Sequence, residues 1–254
     1  MDPRREGHPN RFVSITFDDG LLKGALRAVD ILGQFGTKAT FYLVTGWVRP
    51  NRQKIRDRWN SGRDHGSWHD WRRIEDLGHE IGSHTVSHIN AVGKKARLLP
   101  VVLWRELQGS FADLKEHLGK PPVSIAMPFN TSTPTSERLV KQIYEAARIG
   151  SQGGFDNDLA HINWYRLHSW APHPEQSVEE IGCTITSIPP NHWIILAFHS
   201  LDDEGWRPIS AEKLRAIMQF ISEGDNLRAV TIREMVEMYK LPPACDLQRP
   251  EDQC

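Results

Sequence analysis

Three short segments carry residues that could act together on a polarised bond: Asp18-Asp19 followed at once by Gly20, His84 and His88 four residues apart, and His199. Two adjacent carboxylates repel one another and are poor strand formers, so their placement asks for a cation or a proton. One carboxylate with two imidazoles is a ligand set for a zinc-like divalent ion, and three protein ligands leave a coordination position for water. The second carboxylate is then available as a base. A bound ion lowers the pKa of water from its bulk value to about 7, so the chemistry these residues point to is metal-assisted hydrolysis. His199, whose imidazole titrates near neutrality, would protonate a leaving group such as an amine.

Such residues must be positioned by strand ends. Asp18 and Asp19 terminate the apolar run Phe12 to Phe17, His84 and His88 follow Glu80 to Ser83, and His199 ends Ile194 to Phe198. A second pair at the same spacing, His65 and His69, sits instead in a polar loop. Further apolar runs at Ala39 to Val44, Ser124 to Phe129, Tyr165 to Trp170 and Ala229 to Ile232 alternate with amphipathic stretches, the pattern of repeated βα units. Leu214, Ile217, Met218 and Ile221 mark one helix; Leu99, Leu103, Leu107, Phe111, Leu114 and Leu118 mark another. Thr133-Pro134, Ser177 with Glu180 and Thr231 with Glu234 are helix starts. One barrel-like α/β domain fits this rhythm, and in a parallel barrel residues at the carboxyl ends of the strands converge on one face.

The 254 residues have 39% hydrophobic and 25% charged content, the composition of a globular protein rather than a disordered or collagen-like one. Lys and Arg total 31 against 32 Asp and Glu, a net charge of -1 that removes the global attraction a nucleic-acid or anionic-membrane binder would use. No apolar run approaches the roughly 18 residues of a membrane span, and Met1 to Asn10 is too polar for a signal peptide. Cys183, Cys245 and Cys254 are too few and scattered for a disulfide framework, so the expectation is a reduced, cytoplasmic protein.

The segments Thr16-Phe17-Asp18-Asp19-Gly20, Gly78-His79-Glu80-Ile81-Gly82-Ser83-His84-Thr85-Val86-Ser87-His88 and Leu196-Ala197-Phe198-His199 together resemble the polysaccharide deacetylase family, also known as the NodB-homology or carbohydrate esterase four family. The resemblance spans residues 11–240, with 1–10 as an arm and 241–254 as a tail. It implies a distorted (β/α) barrel of about seven parallel strands in a single domain, and hydrolysis of the acetamide of an N-acetylated amino sugar, glycan or glycoconjugate. By position, Asp18 is the base, Asp19, His84 and His88 hold one divalent metal ion (zinc first, with cobalt, nickel or manganese as alternatives), and His199 is the acid. The backbone N–H of Phe129, in Ala126-Met127-Pro128-Phe129-Asn130, would help hold the oxyanion, with Asn130 beside it.

That third segment departs from the commoner family form, which has an arginine near Ala126 and a tyrosine at Phe129; branches with Ala-Tyr-Pro-Tyr-Gly are nearer. Arg166 is the candidate replacement for the missing guanidinium. His168-Ser169-Trp170 stands where the family often has Asp and Trp, leaving Trp170 as a wall of the substrate site and Asp156, Asp158 or Asp202 to orient His199. Residues 46–68 form a long connection with Arg49, Arg52, Lys54, Arg56, Arg58 and Arg63 against Asp57 and Asp64, which suits a substrate bearing phosphate or carboxylate. Trp47, Trp59, Trp68 and Trp71 cluster nearby; Trp71 reads as helix core, and Trp59 and Trp68 as a lid over the substrate. Two other functions remain open: a small-molecule amidase or formamide hydrolase on the same scaffold, and a non-catalytic metal-containing carbohydrate-binding module.

Overall fold

The computed structural model describes residues 10–50, 55, 58–92, 100–151 and 154–240. The arm before residue 10, the tail after 240, and Arg52, Lys54, Arg56, Asp57 and Leu99 lie outside these residues. Strand β1 (Arg11–Phe17) is the axis of the sheet, buried along nearly its whole length on both faces, as a strand covered by helices must be. The strands that follow are β2 (Thr40–Leu43), β3 (Glu80–Ser83), β4 (Ser124–Ala126), β5 (Ala146–Arg148), β6 (Asp156–Asp158), β7 (His192–Phe198) and β8 (Leu227–Ala229). The helices are α1 (Leu22–Gln34), α2 (Trp68–Asp76), α3 (Pro100–Leu118), α4 (Pro134–Val140), α5 (Val178–Ser187), α6 (Ala211–Glu223) and α7 (Ile232–Tyr239).

Strand order is β5-β4-β3-β2-β1-β7-β6, with β8 also paired to β1. β7 pairs with all of β1, whereas the other edge of β1 is shared: Arg11 to Val13 face β8, and Thr16 and Phe17 face β2. The sheet is mixed rather than purely parallel, because β6 runs antiparallel to β7. β6 has the sequence Asp-Asn-Asp, which carries no apolar signal. Parallel bridges at Leu167, to Arg148 of β5, and at Trp170, to Leu196 of β7, carry the Tyr165–Trp170 run across the gap between the two ends of the sheet.

The caps form as their sequences require. Ser177 and Thr231 complete capping boxes with Glu180 and Glu234, and Thr133 caps α4 with Pro134 in its first turn. The Leu214, Ile217, Met218 and Ile221 stripe of α6 is fully buried, each such side chain contributing about 1.5–3 kcal/mol. Trp71 and Ile74 of α2 join the same core. Among the described residues no helix is long and apolar enough to cross a membrane.

Candidate active site

β1 ends in a turn that only a particular backbone allows. Asp19 and Gly20 both have positive φ, 70° and 65°, and a Cβ at Gly20 would stand 2.9 Å from Leu43 Cδ2. The turn places two buried carboxylates side by side at the strand ends. His84 leaves β3 with its backbone N–H donating to Leu43 O, and His88, at φ 59°, turns back toward it. Asp19 Oδ1 lies 3.5 Å from Nε2 of both His84 and His88, and one ligand atom from each of the three residues falls within 4.8 Å of the others.

This set fits a divalent ion. Ligand atoms about 2.0–2.1 Å from a tetrahedral ion stand about 3.4 Å apart, close to the 3.5 Å between Asp19 Oδ1 and each imidazole Nε2. Nδ1 of His84 donates to Ala126 O at 2.7 Å, which leaves Nε2 as the lone-pair nitrogen facing Asp19. Asp19 Oδ1 is buried and has no hydrogen-bond donor. Burial alone would push the Asp19 carboxyl up, but the imidazoles of His84, His199 and His88 around it outweigh this, holding the group well below the usual carboxylate range. Burial likewise pushes His84 down, and Asp19 and Asp18 more than offset it, so this imidazole lies above its usual range.

The long 46–68 connection reaches into this centre. Asn60 Nδ2 donates to Asp19 Oδ2 at 3.0 Å, and His65 Nδ1 donates to the Asp19 carbonyl oxygen at 3.0 Å. His65 is itself fixed by Trp71, whose Nε1 donates to His65 O, and Trp47 packs against both His65 and His88. Neither Asn60 nor His65 is a site residue by sequence pattern. Beyond the spacing of His65 to His69, their signal is a long loop that must return to α2 beside the strand ends.

Asp18 Oδ2 accepts from Arg148, not Arg166. Arg148, the last residue of β5, is fully buried; its Nη1 donates to Ser169 Oγ at 2.9 Å and its guanidinium lies 5.3 Å from the Tyr42 ring. Arg166 instead pairs with Glu137 near the surface. Four strand spacings of about 4.8 Å would put β5 and β1 some 19 Å apart in a flat sheet, beyond an arginine's reach. The pair closes because the sheet curls. Asp18 Oδ1, like Asp19 Oδ1, is buried and without a donor.

His199 follows β7, whose Phe198 O accepts from Asp18 N–H. Asp156 is bonded to His192, Asp158 to His161, and Asp202 to Arg27 and the Ala211 N–H, so none of the three orients His199. Its ring packs edge-on against Trp206 at 5.0 Å, and no described side chain hydrogen-bonds it. Phe129 (φ 58°) and Asn130 (φ 53°) form a tight left-handed turn after β4, with the Phe129 ring 4.6 Å from His88. Asn130 is exposed there. Trp59 is exposed, one residue before Asn60. Trp68 is buried at the start of α2 and stacked on His117 at 4.4 Å, so protein occupies the faces a lid would offer. Trp170 is half-buried, packing toward Phe155.

A profile described as polysaccharide deacetylase matches residues 5–146. A gellan lyase from Bacillus sp is 27% identical over 217 residues, covering 77% of this chain and 8% of that protein. A chitin deacetylase from Pestalotiopsis sp is 30% identical over 125 residues, covering 48% of this chain and 35% of that protein. The chain thus spans only a minor part of both relatives. A family 4 acetyl xylan esterase from Clostridium thermocellum, solved with a cobalt ion, shares the fold at a TM-score of 0.59 and 21% identity, over 91% of this chain and 93% of that one. With more than half of its length matched by the profile, the chain belongs to the polysaccharide deacetylase family.

Proposed function

We propose that the protein is a metal-dependent N-deacetylase acting on an N-acetylated amino sugar or its glycoconjugate. One observation carries the reading: each of the two adjacent carboxylates is tied through Oδ2, Asp18 by Arg148 and Asp19 by Asn60, while each Oδ1 is buried with no donor. One oxygen is thereby reserved for a proton and the other for a cation. Chitin deacetylase and acetyl xylan esterase among the similar proteins support hydrolysis of an acetylated carbohydrate.

Asp19, His84 and His88 would hold the cation, and two imidazoles with a carboxylate suit zinc first, then cobalt, nickel or manganese. When bound, such an ion supplies Lewis acidity to a carbonyl oxygen and to water. Asp18 Oδ1 takes the proton of the attacking water, with Arg148 holding the carboxylate in orientation. The Phe129 backbone N–H is the proposed donor to the oxyanion. His199 delivers a proton to the departing amine, its ring braced by Trp206.

The test is acetate release from N-acetylated chitooligosaccharides by the zinc- or cobalt-loaded protein, alongside Asp18→Asn. Wild-type release that falls at least a hundredfold in the variant, with metal content unchanged, supports the reading. A protein that binds these saccharides with metal loaded but releases no acetate refutes it, as does an Asp18→Asn variant of undiminished rate.

A further inference from the structure

Exposed aromatic side chains are unevenly distributed. Among the described residues the exposed large hydrophobics are Leu26, Trp59, Leu77, Val101, Phe129 and Trp206. All three aromatics among them stand at the site: Phe129 against His88, Trp206 against His199, and Trp59 beside Asn60. Flat apolar faces around a polar centre are what a sugar ring packs on.

Two of these three rings carry a guanidinium. Arg58 lies over Trp59 at 4.4 Å and Arg207 over Trp206 at 5.1 Å, on the two loops that flank the carboxylates and His199. The loops form one rim, because Arg63 Nη2 donates to Asp203 O at 3.0 Å. Among the described residues the acidic groups of that rim are engaged elsewhere: Asp203 with Lys23, Asp202 with Arg27, Asp64 with Arg49, and Glu204 with the Gly24 N–H. Among the described residues no carboxylate stands within ion-pair distance of Arg58 or Arg207. In a chain with 31 cationic and 32 acidic side chains, two exposed guanidiniums over rings at the mouth of one site are a local positive field. A guanidinium whose face rests on an indole keeps its planar edge of N–H donors for an oxyanion.

Building on the deacetylase reading, we infer that the substrate carries an anionic group, a carboxylate or a phosphate, on or next to the acylated sugar. The sugar rings pack on Trp59, Trp206 and Phe129, and the anion is met by Arg58 and Arg207. Arg58 brings the basic 46–68 connection to that anion.

The test compares three probes with the zinc-loaded protein: neutral triacetylchitotriose, its 6-phosphate, and an N-acetylglucosamine–N-acetylmuramic acid disaccharide bearing a carboxylate. Expected is a kcat/KM at least tenfold higher for one anionic probe than for the neutral one, the two anionic arms separating phosphate from carboxylate. The ratio should fall about tenfold for each of Arg58→Gln and Arg207→Gln, and should narrow in 0.5 M salt (on the order of a 4 Å Debye length). Calorimetric binding of the same probes to the Asp18→Asn protein reads the preference without turnover. Equal binding and turnover of all three, or a preference indifferent to both arginine variants, overturns the inference while leaving deacetylation standing. An anion preference in binding that the arginine variants abolish, with no acetate released from any probe, sustains the inference about the ligand and removes the deacetylase reading.

Discussion

Arg148 offers the sharpest test of how the site is built. Its side chain is wholly buried and that of Asp18 is 6% exposed, so neither charge has water to fall back on. Arg148→Met keeps much of the volume but leaves the Asp18 carboxylate buried without its cation, a change that costs about 3–5 kcal/mol. The loss of Ser169 as an acceptor and of the Tyr42 ring contact adds to this in the same direction. Against a total stability of roughly 5–15 kcal/mol that is a large fraction. Equilibrium urea unfolding at pH 7 reads it directly. Adding Asp18→Asn to the Arg148→Met variant removes the orphaned charge and should recover at least about 2 kcal/mol, since a neutral pair is far less costly to bury. Arg148→Lys should fall between, because an ammonium cannot present a planar fork to Asp18 and Ser169 together. Arg166→Met is the control: its partner Glu137 is nearer the surface, Arg166 itself is 37% exposed, and the cost should stay below about 1 kcal/mol. A loss at Arg148 no greater than at Arg166, or no recovery in the double variant, would sink the reasoning.

Asn60→Ala frees Asp19 Oδ2 and should weaken zinc binding by about 10–100-fold in a chelator competition, without unfolding the chain. Burial, aided by Lys38, pushes the His79 imidazole down to about 4, and its Nδ1 accepts from the Ala39 N–H. The unfolded chain therefore binds this proton more readily. Stability is full above about pH 6.5 and is lost as pH falls toward 4, by at most about 3 kcal/mol, and His79→Gln should flatten that part of the pH-stability curve measured by urea unfolding. Gly82→Ala would put a Cβ 2.5 Å from the Tyr42 ring and should cost about 1–3 kcal/mol in thermal or urea unfolding.

The parts of the fold that the sequence makes legible are those written in apolar periodicity. β1, β3 and β7, the α6 stripe, and the capping boxes at Ser177 and Thr231 fall where hydrophobic pattern and cap residues place them. β5 and β6 are not legible, since Ala-Ala-Arg and Asp-Asn-Asp are too short and too polar to announce strands. That gap is why the sequence points to Arg166, on the one visible run nearby, rather than to Arg148 as the partner of Asp18. The Tyr165–Trp170 run reads as a strand and pairs through isolated bridges at Leu167 and Trp170. Asn60 and the Trp206 brace on His199 are contacts of loops. Nothing in the period of a loop tells which of its side chains turns inward.

The clamp on Asp18 also has a chronology. A ribosome releases Asp18, Asp19 and then Asn60 early, but Arg148 follows Asp18 by 130 positions and His199 comes later still. Chains are made at about 5–20 residues per second, so the first carboxylate waits on the order of 10 seconds for its guanidinium. Until then the only shield for that charge is solvent, and a collapsed early intermediate cannot bury the end of β1 without penalty. The strands made after Arg148, β6, β7 and β8, therefore complete the sheet only once the counter-ion of Asp18 has been synthesised.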